Sequence, residues 1–224
     1  MNMKPHVIRQ GEYVTQLATR FGFDADDVWN RVENAELRQC RPDPNVLAPG
    51  DILRIPERPE TENRISKGGT HSYRARIPRV AIRIVLEACL QSVSGARYEV
   101  RIPGASPVSG TTGGDGVIRF EVPTTVSEVE LHLLDSDTVH PVRIGHLDPH
   151  DATSGVSGRL SNMGYLPPRL TELFGHHPAP EWTRVESEEE RVQQGLGAFA
   201  EARNLNPAEG ADRIVAELRR GHGV

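Results

Sequence analysis

Several residue types are scarce in this chain of 224 residues, and each scarcity excludes something. Cys40 and Cys89 are its only cysteines, and neither belongs to a C-x-x-C pair. A structural zinc site and a disulfide framework are therefore not expected, and both thiols read as free in a reducing compartment. Lys4 and Lys67 are its only lysines, so the positive charge is almost all arginine. Acidic residues exceed basic ones, for a net charge of −5, which argues against a general binder of nucleic acid or anionic membrane. No apolar run approaches the roughly 18–20 residues of a membrane span, so membrane insertion is not expected. The opening Met1-Asn2-Met3-Lys4-Pro5-His6 has no apolar h-region, which gives the expectation of no secretory signal and a cytoplasmic location. Aromatics are only 5% of the residues. With 21 Gly and 17 Pro, the chain reads as several small modules rather than one large core.

Hydrophobic spacing and turn chemistry divide the chain into residues 4–57, a linker at 58–77, a strand-rich segment at 78–147 and a helical segment at 148–224. In the first, His6 to Arg9 reads as a strand, and Val14, Leu17, Ala18 and Phe21 follow helical spacing up to Gly22. Asp24 is placed to cap a second helix carrying Val28, Trp29 and Val32, and Ile52 to Ile55 reads as a closing strand before Pro56. The linker is polar and contains Lys67-Gly68-Gly69-Thr70. In the strand-rich segment, Val80–Leu86, Ala96–Ile102, Val117–Val122, Val129–Leu133 and Val139–Ile144 have strand character, and Gly113-Gly114-Asp115-Gly116 reads as a hairpin turn. Turns every 8–15 residues point to a small antiparallel β-sandwich. The helical segment has candidate helices at Ser157–Met163, at Glu186–Arg203 and around Ile214, Val215 and Leu218. The fold class expected is multidomain α+β.

Residues Val7-Ile8-Arg9-Gln10-Gly11-Glu12-Tyr13-Val14, Leu17-Ala18, Phe21-Gly22 and Asn45 to Pro56 carry a resemblance to the LysM domain over about a quarter of the chain. The resemblance implies a βααβ fold that binds N-acetylglucosamine-containing glycans, usually peptidoglycan or chitin. In that family the glycan lies between two loops. Here they are Gly11, Glu12, Tyr13 and Val14, and Asn45, Val46, Leu47, Ala48, Pro49, Gly50 and Asp51. Tyr13 stands where threonine is usual, and Glu33 to Pro42 is longer and more charged than in the family. The same loops are open to a second reading, as the groove of a protein-docking fold.

Val156, Leu160, Met163-Gly164-Tyr165, Leu196-Gly197-Ala198-Phe199 and Asn204-Leu205 resemble the three-helix peptidoglycan-binding domain. Ala200 replaces the usual Gln, and Phe174 to Trp182 replaces the usual turn before the middle helix. Ala96-Arg97-Tyr98, Gly110 to Gly116 and Val122-Pro123 resemble Ig-like or transthyretin-like sandwiches. Modules in this order are similar to accessory proteins of bacterial contractile injection or type VI secretion systems.

Signs of catalysis are few. His146-Leu147-Asp148-Pro149-His150-Asp151 is the densest run of metal-capable side chains, but Pro149 imposes an extended turn and no helical ligand pair accompanies it, so it reads as a strand end and inter-module turn. Ser154-Gly155 and Ser157-Gly158 miss the spacing of a nucleophile elbow. No enzyme activity, metal or cofactor is expected. Two functions remain. One is an adaptor of an injection apparatus, whose partner is a protein of that apparatus or its effector and which the apparatus exports to the periplasm or a target cell. The other is a peptidoglycan-binding protein anchored to the cell wall.

Overall fold

The computed structural model of the chain describes residues 2–57, 68, 70, 72, 77–88, 91–166, 187–206 and 210–222. Most of the expected linker, Cys89, and the Phe174–Trp182 stretch with His176 and His177 lie outside the described residues. The architecture is mixed α and β, with small antiparallel sheets and six α-helices among the described residues. The chain divides into two compact units. One holds Met1–Ile82, Arg97–Gly110 and Arg119–His146; the other holds Arg83–Ala96, Thr111–Ile118 and Leu147–Val224. The strand-rich segment contributes to both.

In the first unit, β1 (Met3–Val7) pairs antiparallel with β2 (Ile52–Pro56). Between them run α1 (Val14–Phe21), α2 (Ala25–Trp29), a 3-10 turn (Val32–Asn34) and α3 (Ala35–Cys40). Val14, Leu17 and Ala18 form the buried stripe of α1, and Gly22 closes that helix. Asp24 Oδ1 accepts from the N–H groups of Asp26 and Asp27, capping α2 as its sequence position implies. That helix stops at Trp29, however, so Val32 does not share its apolar face and is 79% exposed. The charged stretch Glu33–Pro42 supplies a third helix beyond the two expected. Arg38 anchors it, with Nη1 donating to the carbonyls of Trp29 and Arg31. Ile8, Leu17, Val28, Trp29, Leu47, Leu53 and Ile55 close a core on one face of the β1–β2 pair.

Pro5 lies opposite Arg54 in that pair. The Glu57 N–H donates to the Asn2 carbonyl, so by alternation Pro5 and Arg54 form a non-hydrogen-bonded pair. A proline is therefore tolerated in β1, and the Arg54 main-chain groups point away from that strand. Asn34 meets them there: its Oδ1 accepts from the Arg54 N–H at 2.8 Å, and its Nδ2 donates to the Arg54 carbonyl at 2.9 Å and to the Val28 carbonyl at 2.8 Å. One buried carboxamide thus satisfies the outer edge of β2 and the end of α2.

The strands of the middle segment are β3 (Arg79–Val85), β4 (Glu87–Ala88), β5 (Gln91–Ser92), β6 (Arg97–Arg101), β7 (Val108–Thr111), β8 (Val117–Pro123), β9 (Glu128–Leu133) and β10 (Thr138–Arg143). They form a four-stranded sheet in the order β10-β9-β6-β7 and two pairs, β3-β8 and β4-β5. Alternation buries Tyr98 and Val100 on β6, Ile118, Phe120 and Val122 on β8, and Val129 and Leu131 on β9. Pro141 sits in β10, at an edge of its sheet, where a missing donor is tolerated. The Gly113–Gly116 turn forms, closed by Gly116 N–H to Gly113 carbonyl at 3.0 Å. It is not the hairpin turn its sequence suggested: β7 before it pairs with β6, while β8 after it pairs with β3.

In the second unit, α4 (Thr153–Asn162), α5 (Glu188–Ala202) and α6 (Ala211–His222) share a core of Val156, Leu160, Val192, Leu196, Phe199, Ile214 and Leu218. The Tyr165 ring meets Phe199 edge-on with centroids 5.3 Å apart. Ser187 and Glu190 form a capping box at the start of α5.

Candidate functional site

The loop joining β1 to α1 holds the first four candidate residues. Glu12 is its electrostatic centre. Its Oε2 accepts from His6 Nε2 at 2.7 Å and from the Arg9 N–H at 3.0 Å, and its Oε1 accepts from Arg20 at 3.2 Å. Burial works to raise the Glu12 carboxyl, but these hydrogen bonds and the charges of His6 and Arg20 prevail and hold it below the usual carboxylate range. His6 in turn meets Phe21 edge-on at 5.9 Å. Glu12 is therefore a clamp on its own loop.

Tyr13 is 2% exposed and Val14 is fully buried, so neither presents a surface for stacking. Burial pushes the Tyr13 phenol above its usual range, and its hydroxyl has no hydrogen-bond partner among the described residues. What covers this loop comes from far along the chain. Gln10 Nε2 donates to the His146 carbonyl at 3.2 Å. A Cβ added to Gly145 would lie 2.7 Å from the Gly11 carbonyl oxygen and 2.8 Å from Tyr13 Cδ1, so glycine is required there by space as well as by its φ of +77°. Gly11, at φ +84°, lies under the His146 ring, and a Cβ on it would come within 2.8 Å of Nε2.

The second loop, Asn45 to Asp51, adjoins the first through Val14 N–H to Pro44 carbonyl at 3.0 Å and Thr15 Oγ1 to Asn45 Oδ1 at 2.8 Å. Its polar groups are largely consumed internally. Asp51 Oδ2 accepts from Arg41 Nε and from the Ala48 N–H, both at 2.8 Å. The Gly50 N–H reaches the Ile8 carbonyl at 2.9 Å, and the Ile8 N–H reaches the Asp51 carbonyl at 2.8 Å. Val46 and Ala48 are half-buried and Leu47 belongs to the core, while Asn45, Pro49 and Gly50 stay exposed. The structure thus brings the two loops side by side, but with Tyr13, Val14 and Leu47 turned inward.

The chain matches no protein-family model, no curated protein and no solved structure. Its site is therefore weighed on geometry.

Elsewhere, a cleft of about 800 Å³ opens among the helices of the second unit, floored by Val156, Val192, Leu196 and Val215, with Asp212 and Arg219 on its rim. Beside that core, Arg159 is 1% exposed and donates from Nη1 to the carbonyls of Asp148 and Gly155 at 2.8 and 2.9 Å. Burial, and then the charge of Arg219, hold its guanidinium below the usual range against the pull of Asp148. Arg159 thereby ties the start of α4 to the segment before it. Among the described residues no three His, Cys, Asp or Glu side chains converge as a metal set, and no helix is long and apolar enough to cross a membrane. In the His146–Asp151 run, Asp148 accepts from Ser154 Oγ at 2.6 Å.

Sequence reasoning missed Asn34 and Gly145. A buried Asn that bonds the edge of a strand twenty residues further on has no local pattern. A glycine at a strand end reads as an ordinary turn until its tertiary neighbours are known.

Proposed function

We propose that this chain is a non-enzymatic accessory protein of a bacterial contractile injection (type VI-like) apparatus, whose modules dock on protein. The first module is LysM-like, the strand-rich segment is an Ig-like or transthyretin-like sandwich, and the last three helices are peptidoglycan-binding-like. One observation carries the choice of protein over glycan. A sugar N-acetyl group is held by open backbone donors and acceptors beside an apolar shelf. In this chain the first loop is covered by Gly145 and His146, and the second spends its N–H groups on Ile8 and Asp51.

The partner is a protein of the apparatus or its effector. Purified full-length chain titrated with chitotetraose is expected to give no binding heat, and incubation with purified sacculi is expected to give neither retention nor muropeptide release. Cross-linking in cells that carry such an apparatus is expected to join the chain to one of its components or effectors. Retention on sacculi that chitotetraose competes away would overturn the reading in favour of a cell-wall anchor.

A further inference from the structure

We propose that the Gly11–Tyr13 loop is a receptor surface for an extended, glycine-containing peptide, and that the chain's own Gly145–His146 occupies it in the free protein. The proposal rests on the reading of the first module as a protein-docking module and names what that module recognises.

The contact has the chemistry of peptide recognition. Gln10 reads a main-chain carbonyl, that of His146, rather than a side chain. The Gly11 carbonyl and the Tyr13 ring leave room for a main chain without a Cβ, which is how Gly145 fits. Directly before it, Ile144 is 6% exposed and its N–H donates to the Ser127 carbonyl at 2.8 Å, so the internal occupant is presented from an anchored strand end. The contact is tight in packing yet incomplete in hydrogen bonding, because the buried Tyr13 hydroxyl finds no partner among the described residues. An unsatisfied buried donor penalises the closed arrangement. A partner strand that supplies a glycine, a carbonyl for Gln10 and an acceptor for the Tyr13 hydroxyl gains a hydrogen bond that the internal segment lacks, and on that ground competes with it. Until it arrives the surface stays covered.

The test uses the full-length chain. Gly145→Val places side-chain atoms against Gly11 and Tyr13 and expels the internal segment. Tyr13 nitration by tetranitromethane, mapped by mass spectrometry, is expected to accelerate about tenfold, the factor that a destabilisation of ordinary mutational size gives to a local opening. A synthetic peptide of residues 143–148 (Arg-Ile-Gly-His-Leu-Asp) is expected to restore protection in that variant, and the same peptide with Gly145→Val is not. Retained amide protection in α1 shows that the variant is folded. Should Gly145→Val fail to fold, Gln10→Ala gives a smaller acceleration in the same direction. Unchanged nitration in a folded variant overturns the proposal, as does equal protection, or none, by the two peptides; either result leaves the adaptor reading standing. Protection by chitotetraose and not by the peptide overturns both.

Discussion

Replacing Asn34 isolates one buried carboxamide that joins three parts of the first module. In Asn34→Ala, the Arg54 N–H loses its acceptor, the Arg54 carbonyl loses the carboxamide donor, and the Val28 carbonyl is left with the long bond from the Arg31 N–H at 3.4 Å. At ~1 kcal/mol per net hydrogen bond, three bonds amount to about 3 kcal/mol. Asn34 is 1% exposed, so water does not replace them without local opening. Asn34→Asp keeps the acceptor for the Arg54 N–H but sets a carboxylate against two carbonyl oxygens, and its loss at neutral pH should be at least as large. Burial and those carbonyls raise the pKa of the new carboxyl above its unfolded value of about 3.9. The deficit of this variant is therefore greatest at neutral pH and shrinks as pH falls through the raised folded pKa, when the proton is available to one of the carbonyls. Urea unfolding of the full chain, with amide exchange at Arg54 as the local readout, measures both effects. In Asn34→Ala the Arg54 amide should exchange faster than in the parent by more than the global loss explains. If both variants stay within ~0.5 kcal/mol of the parent at neutral pH, the carboxamide does not hold the β2 edge and the reasoning fails.

Other positions give independent checks. Phe199, 1% exposed and edge-on to Tyr165, should cost ~3–5 kcal/mol when replaced by Ala, read as a lowered thermal midpoint of the second unit. Ser187→Ala removes one half of the capping box, in which Ser187 Oγ accepts from the Glu190 N–H at 3.2 Å, and should cost about 1 kcal/mol by urea unfolding. Burial, and then the charge of Arg159, push the His222 imidazole down to about 4 from an ordinary value of 6.5. The fold thus favours the neutral ring; this contribution is fully present above pH 6.5 and is lost as pH falls from 6.5 toward 4. His222→Gln should flatten that part of the pH–stability curve, and an identical slope in parent and variant would contradict the assignment.

Local order was written in neighbouring residues. The i, i+3, i+4 spacing of Val14, Leu17 and Ala18 makes one face of a helix apolar whatever lies opposite, and Asp24 caps α2 with an atom only two residues from its partner. The alternation in Arg97–Arg101 and Val117–Pro123 likewise assigns a buried face before any partner strand is known. Tertiary structure decided what those elements meet. Strand pairing is chosen by the whole set of strands, so the Gly113–Gly116 turn could be read from its glycines while the separation of β7 and β8 into different sheets could not. α2 ends at Trp29 and leaves Val32 outside, and there Asn34 reaches back to the Val28 carbonyl and across to Arg54, contacts that no local pattern announces. The candidate loops could be found from residues 11–14 and 45–51 alone. Their covering could not, because Gly145 is more than a hundred residues away in sequence. A contact at that separation leaves no periodicity for a sequence to display; it arises only when the folded chain brings two main chains close enough that a single Cβ would not fit between them.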